Sequence, residues 1–120
     1  MSDDLLQMLA TETDRRAPGM IDGIAALANA EEPDTAAVEA VRVEAHGLKG
    51  AALVVGQKRL AELGEQLEIA LVQRQGPGTI DSELATTLTA GVEALRDGAR
   101  AVAAGEDEPA AVGEAIQALA

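Results

Sequence analysis

The sequence has 120 residues and a net charge of −12, with no cysteine, no aromatic residue and a single histidine. This length fits one domain with one core, and a hydrophobic content of 48% argues against disorder. Without cysteine or a second histidine, the chain has no disulfide, thiolate metal site or multi-histidine metal site, and its negative charge makes nucleic acids and anionic membranes poor partners. Because no apolar run reaches the roughly 20 residues of a membrane span and the first residues lack a secretion signal, we expect a soluble cytoplasmic protein.

The first quarter of the chain predicts helix with one interruption. Ser2 is a candidate cap for a short N-terminal helix. Thr13 or Asp14 is a candidate cap for a second helix, which places Pro18 near its start, where proline is tolerated. This pattern predicts a main helix over residues 14–30, whose apolar stripe consists of Met20, Ile24 and Leu27.

The helix that carries the histidine follows a break at residues 31–34. Asp34 is its predicted N-terminal cap and Gly56 its predicted C-terminal cap, so we expect the helix over residues 34–56. Its apolar residues recur at spacings of three and four: Val38, Val41, Ala45, Leu48, Ala52 and Val55. At about 100° per residue, His46 points about 130° away from the middle of this stripe, which predicts an outward-facing side chain.

The second half of the chain predicts three more helices. Lys58 begins a helix over residues 58–75, whose stripe consists of Leu60, Leu63, Leu67 and Leu71. A glycine-rich loop at 75–78 follows, and Asp81 is the predicted cap of a helix over residues 81–104, in which two glycines are expected to weaken the structure. Pro109 opens a last short helix.

The predicted fold is therefore all-α, because no segment shows the alternation of a long strand. We expect a single domain over residues 1–120, an up-and-down antiparallel four-helix bundle with main helices at about 14–30, 34–56, 58–75 and 81–104. Short additional helices are expected at the N- and C-termini.

The surroundings of His46 leave two interpretations open. A lone histidine on a helix is usually a plain surface residue. Gly47 and Gly50 favour a functional role, because each costs about 1 kcal/mol in a helix and both would allow a partner to approach closely. Between residues 40 and 60 there are four basic residues and one acidic residue, which indicates either a docking or phosphoryl-binding region or chance.

A second residue is predicted to meet His46 across the hairpin. His46 lies 11 positions before Gln57, and Glu68 lies 11 positions after it. In an antiparallel hairpin such residues are neighbours, so the Glu68 carboxylate could accept a hydrogen bond from His46 Nδ1–H and leave Nε2 as an outward lone pair. The alternative is that Glu68 is an ordinary solvated charge.

Residues 45–68, AHGLKGAALVVGQKRLAELGEQLE, resemble the histidine phosphotransfer (HPt) domain of bacterial phosphorelays. The family pattern is AH-x-LKG-x-A, a glycine that closes the helix, and then L-x-x-L-x-x-x-LE. The matching residues are Ala45, His46, Leu48, Lys49, Gly50, Ala52, Gly56, Leu60, Leu63, Leu67 and Glu68. Gly47 departs only at a position that varies in the family. The match covers about a fifth of the chain, and a 24-residue pattern across two helices is more specific than a bare H-x-x-K-G.

The resemblance implies a function and a role for each matching side chain. His46 would accept a phosphoryl group from, and pass it to, an aspartate of a response-regulator receiver domain, and the protein would be a carrier without kinase activity. Glu68 would orient the imidazole, Lys49 would offset the phosphoryl charge, and Gly50 would give the partner room.

The resemblance also implies the partners. They are a receiver domain, a histidine kinase, or both. Mg²⁺ is expected on the receiver only, with no cofactor or metal in this chain, which we expect to be a monomer. The candidate partner-binding residues around His46 are Arg42, Val43, Leu53, Val54, Lys58 and Arg59.

The chemistry absent from the sequence limits the alternatives. There is no phosphate-binding loop, no glycine-rich ATP-binding box and no evident Ser-His-Asp arrangement. Two other functions stay open, namely the phosphoacceptor domain of a chemotaxis-type histidine kinase and a helical adaptor in which His46 has no role.

Overall fold

A computed structural model describes residues 2–120, with side chains from residue 4 onward. This part of the chain forms helices and no strand. The helices are α1 (Ser2–Asn29), α2 (Thr35–Val54), α3 (Lys58–Gln75), α4 (Ser82–Ala103) and α5 (Ala110–Leu119). Helices α1 to α4 follow one another around an elongated bundle of 47 × 23 × 19 Å, in which α4 returns to pack against α1, and α5 packs on α3 and α4. The predicted all-α bundle with a short C-terminal helix is confirmed.

The predicted interruption in the first helix is wrong, because α1 is continuous through Thr13 and Pro18. The Thr13 hydroxyl is buried and donates a hydrogen bond to the Leu9 carbonyl at 2.7 Å, so this residue lies inside the helix and does not cap it. The Asp14 carboxylate instead pairs with Arg100 of α4 at 2.8 Å. One buried stripe runs from Leu9 to Leu27, and burial of its larger residues, at about 1.5–3 kcal/mol each, outweighs the roughly 3 kcal/mol cost of an interior proline. The stripe consists of Leu9, Thr13, Ala17, Met20, Ile24 and Leu27.

Both predicted caps of α2 are present. The Asp34 carboxylate accepts a hydrogen bond from the Ala37 N–H at 2.9 Å. Gly56 adopts a positive φ of 76° and donates to Leu53, while Gln57 donates to the Ala52 carbonyl. These two hydrogen bonds form a Schellman motif, which ends α2 two residues earlier than predicted and turns the chain directly into α3. The short turn makes α2 and α3 an antiparallel hairpin.

The loop between α3 and α4 returns to the start of α2. Gly78 has a φ of 65°, and its carbonyl accepts a hydrogen bond from the Asp34 N–H at 2.8 Å. The Asp81 carboxylate then caps α4 by accepting from the Leu84 N–H at 2.7 Å, as predicted. The hydrogen bond between Asp34 and Gly78 fixes one end of the α2–α3 hairpin against the loop.

The core is aliphatic and follows the predicted stripes. The stripe residues of α2 up to Ala52 and all four leucines of the α3 stripe are buried. Gly91 and Gly98 of α4 are also buried, and they make room for leucine and valine side chains of α3 and α5. Close helix packing therefore accounts for two glycines that were expected only to weaken α4.

Candidate functional site

His46 lies in the middle of α2, where the predicted outward orientation is observed. Its side chain is 62% exposed, although its neighbours Ala45 and Leu48 are fully buried. The α2 stripe holds the helix against the bundle and leaves the imidazole on the outer surface.

The Glu68 carboxylate of α3 contacts the His46 ring. Nδ1 of His46 lies 3.2 Å from Oε1 and 3.1 Å from Oε2 of Glu68. An ionised carboxylate only accepts hydrogen bonds, so this geometry places the ring proton on Nδ1. In the neutral imidazole, Nε2 then carries the lone pair, on the other edge of a largely exposed ring.

Two cationic side chains, Lys49 and Arg42, bind the same carboxylate. Lys49 Nζ lies 3.2 Å from Oε1 of Glu68, and Arg42 Nη1 donates to Oε2. Arg42, His46 and Lys49 are spaced four and three residues apart, so they lie on the same face of α2. Glu68, whose side chain is only 14% exposed, therefore accepts from three basic side chains of one helix.

The ion pairs keep Glu68 ionised. Partial burial raises the pKa of Glu68, but hydrogen bonds from His46, Lys49 and Arg42 together outweigh burial and hold this pKa below its ordinary value. The pKa of Arg42 is raised, first by its hydrogen bonds to Glu39 and then, against the effect of burial, by its hydrogen bond to Glu68.

Three glycines near the site have different surroundings. A Cβ at Gly50 would meet no atom within 4 Å, so the surface beside it is open. A Cβ at Gly47 would lie 2.7 Å from the Arg16 guanidinium of α1, so this glycine lies against an arginine side chain and not beside open space. A Cβ at Gly64 of α3 would lie 3.2 Å from the backbone of Lys49, which shows that α2 and α3 approach closely at the site.

Residues 4–98 match the family model described as Hpt domain. The chain belongs to the Hpt domain family. Hpt domains are helical phosphocarrier modules and not kinases, and they interact with receiver domains and histidine kinases of phosphorelays. No curated protein matches the chain.

The Hpt match ends within α4, so the last turn of that helix and the whole of α5 lie outside it. No helix within residues 2–120 is long and apolar enough to cross a membrane.

The six candidate partner-binding residues of this Hpt domain lie at different distances from His46. Val43, Leu53 and Val54 are exposed at 48%, 56% and 80%, and all three lie on α2 within about two turns of His46. Lys58 and Arg59 are also exposed, but they begin α3, about 13–15 Å along the bundle from His46. Arg42, the sixth candidate, contacts Glu39 and Glu68.

The basic region predicted around His46 is largely neutralised in the fold. Arg42 pairs with Glu39 and Glu68, and Lys49 also pairs with Glu68. Arg59 pairs with Glu62 and Glu108. These acids lie outside residues 40–60, so a count along the sequence missed charges that the helices bring together.

Sequence reasoning also missed three exposed apolar residues on α1 and α3. Met8 of α1 is 65% exposed, and Ile69 and Val72 of α3 are 42% and 48% exposed. Met8 lines an open groove between α1 and α2 whose walls include Gly47, the neighbour of His46. The available signal was that Met8, Ile69 and Val72 fall outside the buried stripes of their helices.

Proposed function

We propose that this Hpt domain is a phosphorelay carrier in which His46 is the phosphoacceptor. The observation that carries the proposal is the contact between His46 Nδ1 and both oxygens of Glu68, on a ring that is 62% exposed. This contact holds the proton of the neutral ring on Nδ1, so Nε2 carries the lone pair on the exposed edge, which is the form in which an imidazole is a nucleophile.

The proposed reaction is in-line transfer from the aspartyl phosphate of a receiver domain. The lone pair of His46 Nε2 forms the N–P bond as the P–O bond to the aspartate breaks, and the aspartate leaves as a carboxylate. The proton on Nδ1 stays in place, so the ring becomes positively charged, and the Glu68 carboxylate stabilises that charge. The reverse reaction returns the phosphoryl group, so the protein carries phosphate in either direction.

Lys49 and Gly50 support the same reaction. Phosphoryl transfer depends mainly on positioning and charge stabilisation, and Mg²⁺ would come with the receiver. Lys49, one turn from His46, offsets the negative charge of the bound phosphoryl group. The open space at Gly50 lets the receiver approach α2 next to the ring.

The proposed docking face surrounds His46 on the outside of α2. It includes Val43, Leu53 and Val54 of α2 and Met8 of α1, which together place exposed apolar surface around the ring. Exposed apolar residues that cluster in this way are typical of a protein interface. One copy of the chain presents all of these residues, which fits action as a monomer.

The test is phosphoryl labelling of the purified protein. It is incubated with a panel of phosphorylated receivers and, separately, with histidine kinase catalytic domains and ATP. We expect acid-labile, base-stable label on the wild-type protein and none on His46→Gln, because the chain has one histidine. A matched control is Arg100→Gln, which removes an exposed ion pair between α4 and α1.

The outcomes separate the candidate functions. Label from receivers supports the phosphorelay carrier. Label only from a kinase favours the phosphoacceptor of a chemotaxis-type kinase, and absence of label from every donor leaves a helical adaptor.

A further inference from the structure

Arg42 is held more firmly than a typical surface arginine. Its Nε and Nη2 donate to the two oxygens of Glu39, at 2.8 and 2.7 Å, while Nη1 donates to Glu68. The Arg42 side chain is only 22% exposed. Glu39 is itself held by Gln75 of α3, whose side-chain amide donates a hydrogen bond to the Glu39 carboxylate. Bidentate arginine–carboxylate pairs fix the direction of the guanidinium as well as its position.

This arrangement determines how Glu68 faces the imidazole. Arg42 binds Oε2 of Glu68 and Lys49 binds Oε1, so a different cation anchors each oxygen. His46 Nδ1 accordingly lies almost equally far from both oxygens. The terminal torsion of a glutamate is soft, so a carboxylate with Lys49 as its only anchor would be free to rotate.

We propose that Arg42 is a positioning residue of the phosphoacceptor site, which orients Glu68 toward His46 and supplies enough charge to free Lys49 for the phosphoryl group. Before phosphorylation, Arg42 and Lys49 both pair with the Glu68 carboxylate. When the phosphoryl group arrives, Lys49 turns toward it while Arg42 stays on Glu68. This role rests on the proposed function of His46, and it differs from direct contact with a receiver.

A purely structural role predicts a different result. Replacement of a residue that only stabilises the fold would shift the unfolding transition and leave the imidazole unchanged. The proposed role predicts that loss of Arg42 changes the ring itself, through the proportion of the two imidazole tautomers and the reactivity of Nε2.

The first measurement is NMR of ¹⁵N-histidine-labelled protein, which reports the tautomer directly. In the wild type we expect the proton on Nδ1, and in Arg42→Gln a mixture of both tautomers. Arg42→Lys keeps the charge but loses the fork of donors, so we expect partial rescue. Arg100→Gln should behave as the wild type, because it removes an arginine ion pair elsewhere on the surface.

The second measurement uses phosphoramidate, a small phosphoryl donor that requires no protein partner. His46 Nε2 forms the N–P bond as the P–N bond of the donor breaks, and the nitrogen takes a proton and leaves as ammonia. We expect Arg42→Gln to lower this rate roughly tenfold, through lost positioning. Arg42→Gln and Lys49→Met should be non-additive, because both residues bind one carboxylate.

The two measurements distinguish failure of the Arg42 proposal from failure of the proposed function of His46. If Arg42→Gln and Arg100→Gln give the wild-type tautomer and the same labelling rate, Arg42 has no positioning role. If the wild type is labelled by neither phosphoramidate nor any receiver, the proposed function fails, and the NMR spectra still decide whether Arg42 orients the ring through Glu68. Should Arg42→Gln unfold, Arg42→Lys provides the decisive comparison.

Discussion

Gly64 of α3 lies directly against the backbone of Lys49 of α2. A Cβ at Gly64 would be 3.2 Å from the backbone nitrogen, from Cα and from Cβ of Lys49. Gly64 is one turn before Glu68, so the closest approach of the two helices lies next to the carboxylate that contacts His46. The spacing of α2 and α3 at the site is therefore set by the absence of one side chain.

Gly64→Ala should destabilise the protein. Alanine gains about 1 kcal/mol of helix propensity, but the added methyl group must displace the α2 backbone, and such overpacking costs about 1–3 kcal/mol. We expect a net loss of about 1 kcal/mol in the free energy of unfolding, measured by urea denaturation. The variant should also weaken the His46–Glu68 contact, seen in the NMR spectrum of the ring. An unchanged or higher stability would mean that the two helices separate without cost.

Gly50→Ala should have the opposite effect on stability. Since a Cβ there meets no atom within 4 Å, the variant should gain up to about 1 kcal/mol from helix propensity. If a receiver approaches at Gly50, phosphoryl transfer from the receiver should become slower while labelling by phosphoramidate stays at the wild-type rate. Equal receiver-dependent rates in the variant and the wild type would rule out a close contact at this glycine.

The parts of the fold predicted well from sequence are those set by local pattern. The residues that face the core of α2 and α3 follow from their apolar spacing, and the caps at Asp34, Gly56 and Asp81 follow from the chemistry of single side chains. The break predicted before Pro18 was wrong, because the buried stripe from Leu9 to Leu27 continues through it and outweighs the local signal, and that stripe depends on packing against α4.

In the candidate site, too, the features set by local sequence pattern could be predicted and those set by tertiary packing could not. The proximity of His46 and Glu68 could be predicted, because residues equidistant from a tight turn are neighbours in an antiparallel hairpin. The role of Gly64 could not, since it depends on the distance between two helix axes. The attachment of Arg42 to Glu68 was also missed, because it depends on side-chain rotamers and on competition with Glu39.

Stability should depend on pH through Glu68. Burial raises its pKa, but the hydrogen bonds from His46, Lys49 and Arg42 prevail, so the pKa in the folded protein lies below the value in the unfolded chain, about 4.3. A lowered carboxyl pKa contributes stability that is fully present above the unfolded value and is lost as the pH falls through the folded value. Glu68→Gln removes this contribution.

The measurement is urea unfolding of the wild type and Glu68→Gln between pH 7 and pH 3. At pH 7 we expect the variant to be less stable by roughly 1 kcal/mol, through loss of charge-assisted hydrogen bonds. The difference should narrow below about pH 4.3 as Glu68 becomes protonated in the wild type. A difference that stays constant over this range would show that the ion pairs do not lower the pKa of Glu68.

Pro18→Ala should stabilise the bundle without affecting the site. Pro18 lies in the interior of α1 and is exposed, so alanine restores a donor for the Asp14 carbonyl with little loss of buried surface. An interior proline costs about 3 kcal/mol, and its restriction of the unfolded chain offsets about 0.4–1 kcal/mol, so we expect a gain of roughly 2 kcal/mol and a higher Tm in calorimetry. Phosphoramidate labelling should match the wild type, because α1 contributes no residue to the Glu68 contacts. A lower Tm would contradict this prediction, since it would mean that the proline favours the packing of α1 against α4 by more than the missing hydrogen bond costs.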